Sequence, residues 1–242
     1  MRLARTAAPV NYPDAVIRGR RSGGSALVLL ALVLAACGGG GSAGDDAGNG
    51  TTTPAAVVSS ASTAEPALKP GELAAPLVVS PVRKAPQIAL HDQDGKLFKL
   101  SSLRGRAVYL TFVYSHCPDV CPLMLQALAA AKRKLPDPGS MQIVAVSVDP
   151  KGDTPKAVKA FLHARALTGK VRWLLGTRGQ LRPVWTAYNI LVKSLPETPA
   201  IIEHASLIYG IDARGRLRVG YPASPLKPAW FEHDAPILTR AK

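Results

Sequence analysis

Cysteine is scarce in this chain: three residues in 242, at positions 37, 117 and 121. That excludes a disulfide-stapled scaffold and a four-thiolate zinc cage, and it confines any thiol chemistry to very few atoms. Long apolar runs are also lacking. The one sustained run, residues 25–36, is too short to cross a bilayer, and no second stretch approaches spanning length. No internal repeat is visible, which excludes a solenoid. Acidic residues are few, 16 against 30 Lys and Arg, for a formal charge of +14. A balance of that kind favours an anionic partner, and the rest of the sequence must say which.

The N-terminus sets the compartment. Arg18, Arg20 and Arg21 precede the Leu-, Val- and Ala-rich run 25–36, which closes on Leu34-Ala35-Ala36-Cys37 and four glycines. Basic residues ahead of a short apolar core read as an export signal. The Leu-Ala-Ala-Cys box resembles the bacterial lipoprotein cleavage site, in which the cysteine receives lipid and becomes the new N-terminus. The competing reading is an ordinary secretory signal that leaves Cys37 free. The expectation is removal of residues 1–36, lipidation of Cys37, and a protein tethered on the periplasmic side of a membrane without spanning it.

Export argues against nucleic acid and for anionic lipid or an acidic protein face. Loss of the five arginines and one aspartate before Cys37 leaves +10. The remaining charges are scattered along the chain, as on a solvated surface. Residues 37–80, rich in Gly, Ala, Ser, Thr and Pro, read as a flexible linker with a root-mean-square span of roughly 35–40 Å. Residues 81–242 have the size and apolar content of one folded domain.

Within that domain, residues 108–124 read VYLTFVYSHCPDVCPLM. An apolar, β-branched and aromatic run leads into Cys117 and Cys121, and a helix-like run follows, so the thiols stand at a strand-to-helix junction. The positive end of a helix favours thiolate, the form that binds soft metals and attacks disulfides. Pro118 and Pro122 each push the preceding cysteine away from helical geometry, which predicts both cysteines on an exposed loop and a helix opening at Pro122 with Leu123, Leu125 and Leu128 facing the core. A structural disulfide is the alternative, though the pair is poorly placed as a distant staple.

The remaining pattern predicts a hairpin near residues 88–100, a strand over 107–114, a helix to about 135 and a buried strand over 141–148. A helix opened by Thr154 and Pro155, a strand over 171–175, a helix over 178–189 and a closing hairpin of 205–211 with 216–221 follow. A thioredoxin-like α/β domain fits this order: a central sheet, flanking helices and β-hairpin insertions.

Two thiolates alone select a metal poorly, and five histidines, at 91, 116, 163, 204 and 233, are available as a third donor. His116 adjoins Cys117 but neighbours on an extended loop point apart, whereas His204 precedes the last apolar hairpin and is the best placed. Taken together, YSHCPDVCP, SVDPKGDTP and Glu203-His204-Ala205-Ser206 followed by YGIDARGRL resemble the Sco/SenC family of copper chaperones for cytochrome c oxidase. The likeness covers about residues 87–221. It implies a thioredoxin-like fold and one copper, as Cu(I) or Cu(II), held by Cys117, Cys121 and His204. The family pattern has aspartate before the histidine and serine after it, where this chain has Glu203 and Ala205.

Soft thiolates suit Cu(I), and an added imidazole lets the same site accept Cu(II). Zinc is the competing metal. The resemblance implies delivery of copper to the dinuclear copper site of cytochrome c oxidase subunit II, with a second periplasmic copper chaperone or a thiol reductase as further partners. That is binding and transfer rather than conventional enzymology. The alternative is a thiol–disulfide reductase using Cys117 and Cys121 as a redox pair to keep the oxidase cysteines reduced. Three residues between the cysteines, where oxidoreductases have two, favour metal. A cysteine peroxidase is weaker still, since Tyr114 stands where that family has threonine.

Overall fold

The computed structural model describes residues 17–19, 68–194, 202–204 and 206–241. Among these, the strands are β1 (Ile17–Gly19), β2 (Leu77–Lys84), β3 (Ala89–Asp92), β4 (Leu97–Lys99), β5 (Ala107–Val113), β6 (Met141–Ser147), β7 (Val171–Leu175), β8 (Lys193–Ser194), β9 (Ile202–Glu203), β10 (Leu207–Ile211) and β11 (Arg216–Pro222). The helices are α1 (Val120–Lys134), α2 (Pro155–Ala164), α3 (Arg178–Ala187) and α4 (Pro228–Arg240). Nine strands form one sheet in the order β1-β2-β11-β10-β5-β6-β7-β3-β4, and β8 pairs with β9 in a separate ribbon.

The centre of the sheet follows from its sequence. All seven residues of β5 are buried, β6 is nearly so, and the two pair in parallel from Ala107↔Met141 to Val113↔Ser147. A strand without polar alternation has both faces covered, which is the environment of a parallel sheet beneath helices. β7 continues the parallel set, whereas β10 runs antiparallel on the other side of β5. This is the mixed thioredoxin-like α/β arrangement the sequence predicts. It places the carboxyl end of β5 and the start of α1 at one end of the sheet.

Local signals held where a cap defined the element. Thr154 accepts from the Ala157 N–H at the head of α2, and Thr177 and Gln180 make a reciprocal capping box on α3. Leu181, Val184, Trp185 and Tyr188 are buried, as the helical spacing requires. Two expectations need correction. The folded domain begins before residue 81: β2 opens at Leu77, and Leu73, Ala75 and Val79 are already buried. Leu73 and Ala75 lie on the lead-in and Val79 on β2, which pairs with β1 on one side and β11 on the other, a role that Ala- and Pro-rich composition conceals. The β8–β9 ribbon was also missed, because two-residue strands carry no periodicity.

The lead-in is held by one carboxylate. Asp234 on α4 is fully buried and accepts the N–H groups of Ala74 and Ala75 at 2.6 and 3.0 Å and the Tyr221 hydroxyl at 2.8 Å, with His233 Nδ1 also at 2.8 Å. Removing the acceptor leaves several buried donors unsatisfied, so Asp234→Ala is expected to cost about 2–4 kcal/mol. Urea unfolding should show a lower midpoint at unchanged slope; an unchanged midpoint would rule out this anchoring role.

Candidate functional site

β5 delivers the chain to Tyr114-Ser115-His116-Cys117, where the Cys117 N–H closes a turn on the Tyr114 carbonyl at 3.2 Å. Asp119 then caps α1 by accepting from the Val120 N–H. Cys121 falls in the first turn of the helix, and its own N–H donates to Cys117 Sγ at 3.4 Å. The spacing of four thus sets the second cysteine's amide on the first cysteine's sulfur. Both are free thiols.

Here the expected exposed loop is corrected. α1 starts at Val120, two residues ahead of Pro122, so Cys121 is helical, and the cysteines are 6% and 0% exposed. Pro122 fits because the first turn has no intrahelical acceptors for its N–H groups, and the Asp119 cap with burial of Cys121 offsets the proline's bias against a helical predecessor. The earlier start rotates the apolar face. Leu125 and Leu128 are buried with Met124, whereas Leu123 is 58% exposed beside the site.

The two thiols are made unequal by their contact. The Cys121 thiol donates to Cys117 and holds the Cys117 pKa down to about 6 against desolvation by burial, helped by the backbone N–H groups of Cys121 and Asp119. The same bond, then burial, pushes Cys121 up. Alkylation of the reduced protein should therefore titrate near pH 6 at Cys117 and stay slow at Cys121. Replacing Cys121 by alanine should move the Cys117 midpoint up toward the ordinary thiol value of about 8.5. Identical midpoints in the two proteins would show that the thiols do not share a proton.

His204 lies between β9 and β10, half-buried, with its ring edge-on to Tyr114 at 6.0 Å between centroids. The fold thus joins Cys117 to Cys121 and stands His204 against the tyrosine three residues before Cys117. Among the described residues, the set of three metal-ligating side chains whose ligand atoms lie within 4.8 Å of one another is a different one, His116, Asp149 and Asp153. Cys37 lies outside the described residues.

The acidic pair belongs to a bracket under the cysteine loop. Asp153 is buried and accepts from the Ser115 N–H at 2.7 Å and the Ser147 hydroxyl at 2.6 Å. Ser147 in turn accepts from the Asp149 N–H at 3.1 Å, and its carbonyl takes the Trp185 indole N–H at 2.9 Å. Burial pushes the Asp153 carboxyl up. Asp149 holds the turn by accepting from Lys151 and Gly152, and a Cβ at Gly152 would collide with its Oδ2. The reach of Asp153 to Ser115 joins positions 38 apart, which no local pattern announces.

Two adjacent sulfurs, one of them pushed toward the thiolate by the other's hydrogen bond, make a soft donor pair, with an imidazole close to the same loop. The SCO1/SenC family model matches residues 81–229. The yeast mitochondrial protein SCO2 is 32% identical over 135 residues, 52% of this chain and 44% of that protein. The SCO2-like protein of Rickettsia typhi is 29% identical over 133 residues, 52% of this chain and 64% of its own length. The matches therefore span less than two thirds of either relative. Bradyrhizobium japonicum ScoI, solved with copper bound, superposes with a TM-score of 0.56 at 29% identity, over 64% of this chain and 99% of that one. With the family model covering well over half of its length and both motif loops, this chain belongs to the SCO1/SenC family.

Proposed function

We propose that the protein is a copper-binding assembly factor for cytochrome c oxidase, tethered through lipid on Cys37 at the extracytoplasmic face of a membrane. It would pass copper to the dinuclear site of subunit II. The observation that carries this reading is the contact between two free cysteines at the head of α1, where the Cys121 N–H donates to Cys117 Sγ and the pair's hydrogen bonding draws the Cys117 pKa down. Thiolates are the donors that Cu(I) prefers, and His204 supplies the imidazole that Cu(II) needs. Family membership and the copper-bound relative support the metal. Copper is cargo here: it leaves by ligand exchange, as incoming thiolates replace Cys117, Cys121 and His204 in turn.

The inequality of the thiols favours a second activity on the same pair. Cys117 thiolate would attack a disulfide in the client, forming a mixed disulfide; deprotonated Cys121 would then attack Cys117 Sγ and release the client dithiol. The client gains two electrons, the pair becomes a disulfide, and an external dithiol must reduce it again.

The two readings separate in one experiment. The reduced chain is titrated anaerobically with Cu(I) and separately with Cu(II), and its dithiol is equilibrated with glutathione. One copper per chain, with thiolate-to-Cu(II) charge transfer, is the expected result for a copper carrier. Weak copper binding with ready disulfide cycling would leave the reductase alone.

A further inference from the structure

Six cations that are scattered in sequence are gathered by the topology at one end of the sheet. Lys84 ends β2 and pairs in register with Arg216, the first residue of β11. Arg104 and Arg106 precede β5, where the Gly105 N–H donates to the Ala213 carbonyl at 2.9 Å, next to Arg214. Arg104 lies over Gly215, whose missing side chain makes room for its guanidinium. Lys132 is brought back to the same end by α1, which returns from the site toward the start of β5. Burial and then the charge of Arg106 lower the Lys132 pKa, so the cations sit close enough to repel one another.

Little opposes this charge. Asp212 is buried and is spent on Arg216 and Arg218 at 2.7 and 3.3 Å. Asp137 lies near Lys132 and accepts from the Gly139 N–H. Lys84, Arg104, Arg106 and Arg214 are exposed and, among the described residues, have no carboxylate within ion-pair distance. The opposite end carries Cys117 together with Asp119, Asp149 and Asp153, alongside Lys151 and Lys156. The seven residues of β5 separate the two ends by roughly 23 Å.

We infer that this basic end is a docking surface for anionic phospholipid headgroups, which stands the domain on the membrane with the cysteine loop directed away from it. The inference rests on the tethered reading above, because a lipid on Cys37 brings a bilayer within constant reach. Covalent geometry alone limits the reach from Cys37 to Leu68 to roughly 110 Å. Such a tether limits distance but leaves orientation open, so a charged end decides which way the domain faces.

The test uses the mature lipoprotein in vesicles of phosphatidylcholine with 30 mol% phosphatidylglycerol and in phosphatidylcholine alone, read by amide hydrogen exchange. Segments 104–106 and 213–215 are expected to exchange at least tenfold more slowly on the anionic vesicles at about 50 mM salt, losing that protection at about 300 mM. Segments 115–121 should be unchanged. Arg106→Glu with Arg214→Glu should abolish the protection, while Lys151→Glu with Lys156→Glu, an equal change in net charge, should keep it. Equal exchange on both vesicles, or protection at 115–121 instead, overturns the inference. If the basic end is protected by an acidic protein but not by the vesicles, the partner is that protein and the lipid assignment is wrong. Copper bound by the same samples keeps the readings apart: copper retained with an unprotected basic end strikes the docking alone. A mature chain whose mass lacks lipid on Cys37 strikes the tether and the inference with it.

Discussion

Replacing His204 by alanine is expected to weaken Cu(II) binding by more than about 100-fold and to abolish thiolate-to-Cu(II) charge transfer, while Cu(I) affinity falls by about tenfold or less. Partners that merely orient a ligand are worth about 10–100-fold, so loss of a direct donor should exceed that range. The asymmetry between oxidation states follows from donor softness. Two thiolates satisfy Cu(I) in near-linear coordination, whereas Cu(II) requires a further nitrogen. The imidazole also packs edge-on against Tyr114 at 6.0 Å, so truncation removes a contact as well as a donor. His204→Phe separates the two: it keeps an aromatic ring on Tyr114 and lacks the nitrogen. If phenylalanine restores Cu(II) binding lost in the alanine variant, His204 is a packing residue and the three-ligand reading fails. Isothermal titration and the visible spectrum under the same buffer supply the comparison.

The elements that the sequence announced are those in which local chemistry and tertiary need agree. β5 and β6 are apolar at almost every position because both faces are covered, and α2 and α3 begin where a threonine can cap them. The misses have a common cause. Residues 77–80 read as linker because the lead-in to β2 is built from Ala and Pro, and that lead-in is held by Asp234, about 160 residues away in sequence. α1 opened early because Asp119 caps it from within the cysteine loop, which outweighs the helix-breaking bias of Pro122. At the site, the pairing of Cys117 with Cys121 is legible from a spacing of four at a helix start. The inequality of their protons is not, since it depends on which sulfur accepts and which donates. Nor can a linear reading find the link from Ser115 through Asp153 to Ser147, which forms only when two β–α loops meet.

That link carries the second large expected effect. Asp153→Ala should lower copper affinity by about 10–100-fold and stability by about 2–4 kcal/mol, because the Ser115 N–H and the Ser147 hydroxyl lose a buried acceptor and the start of the cysteine loop is released. Asp153→Asn should behave differently. Its carbonyl still accepts from Ser115, so the loop stays in register and copper binding should fall by no more than a few fold. The charge, however, is gone. Burial raises the Asp153 pKa in the folded chain, so the native state holds its proton more tightly than the unfolded one. The stabilisation from that proton is complete below the unfolded pKa of about 3.9 and is lost as pH rises through the folded value. Wild type should therefore lose stability relative to Asp153→Asn across that window and gain nothing back above it. Urea midpoints measured from pH 4 to 7.5 give the curve directly. A gap between the two proteins that widens in the opposite direction would mean that the ionised carboxylate is favoured by its hydrogen bonds more than it is penalised by burial, and that the link holds the cysteine loop by charge.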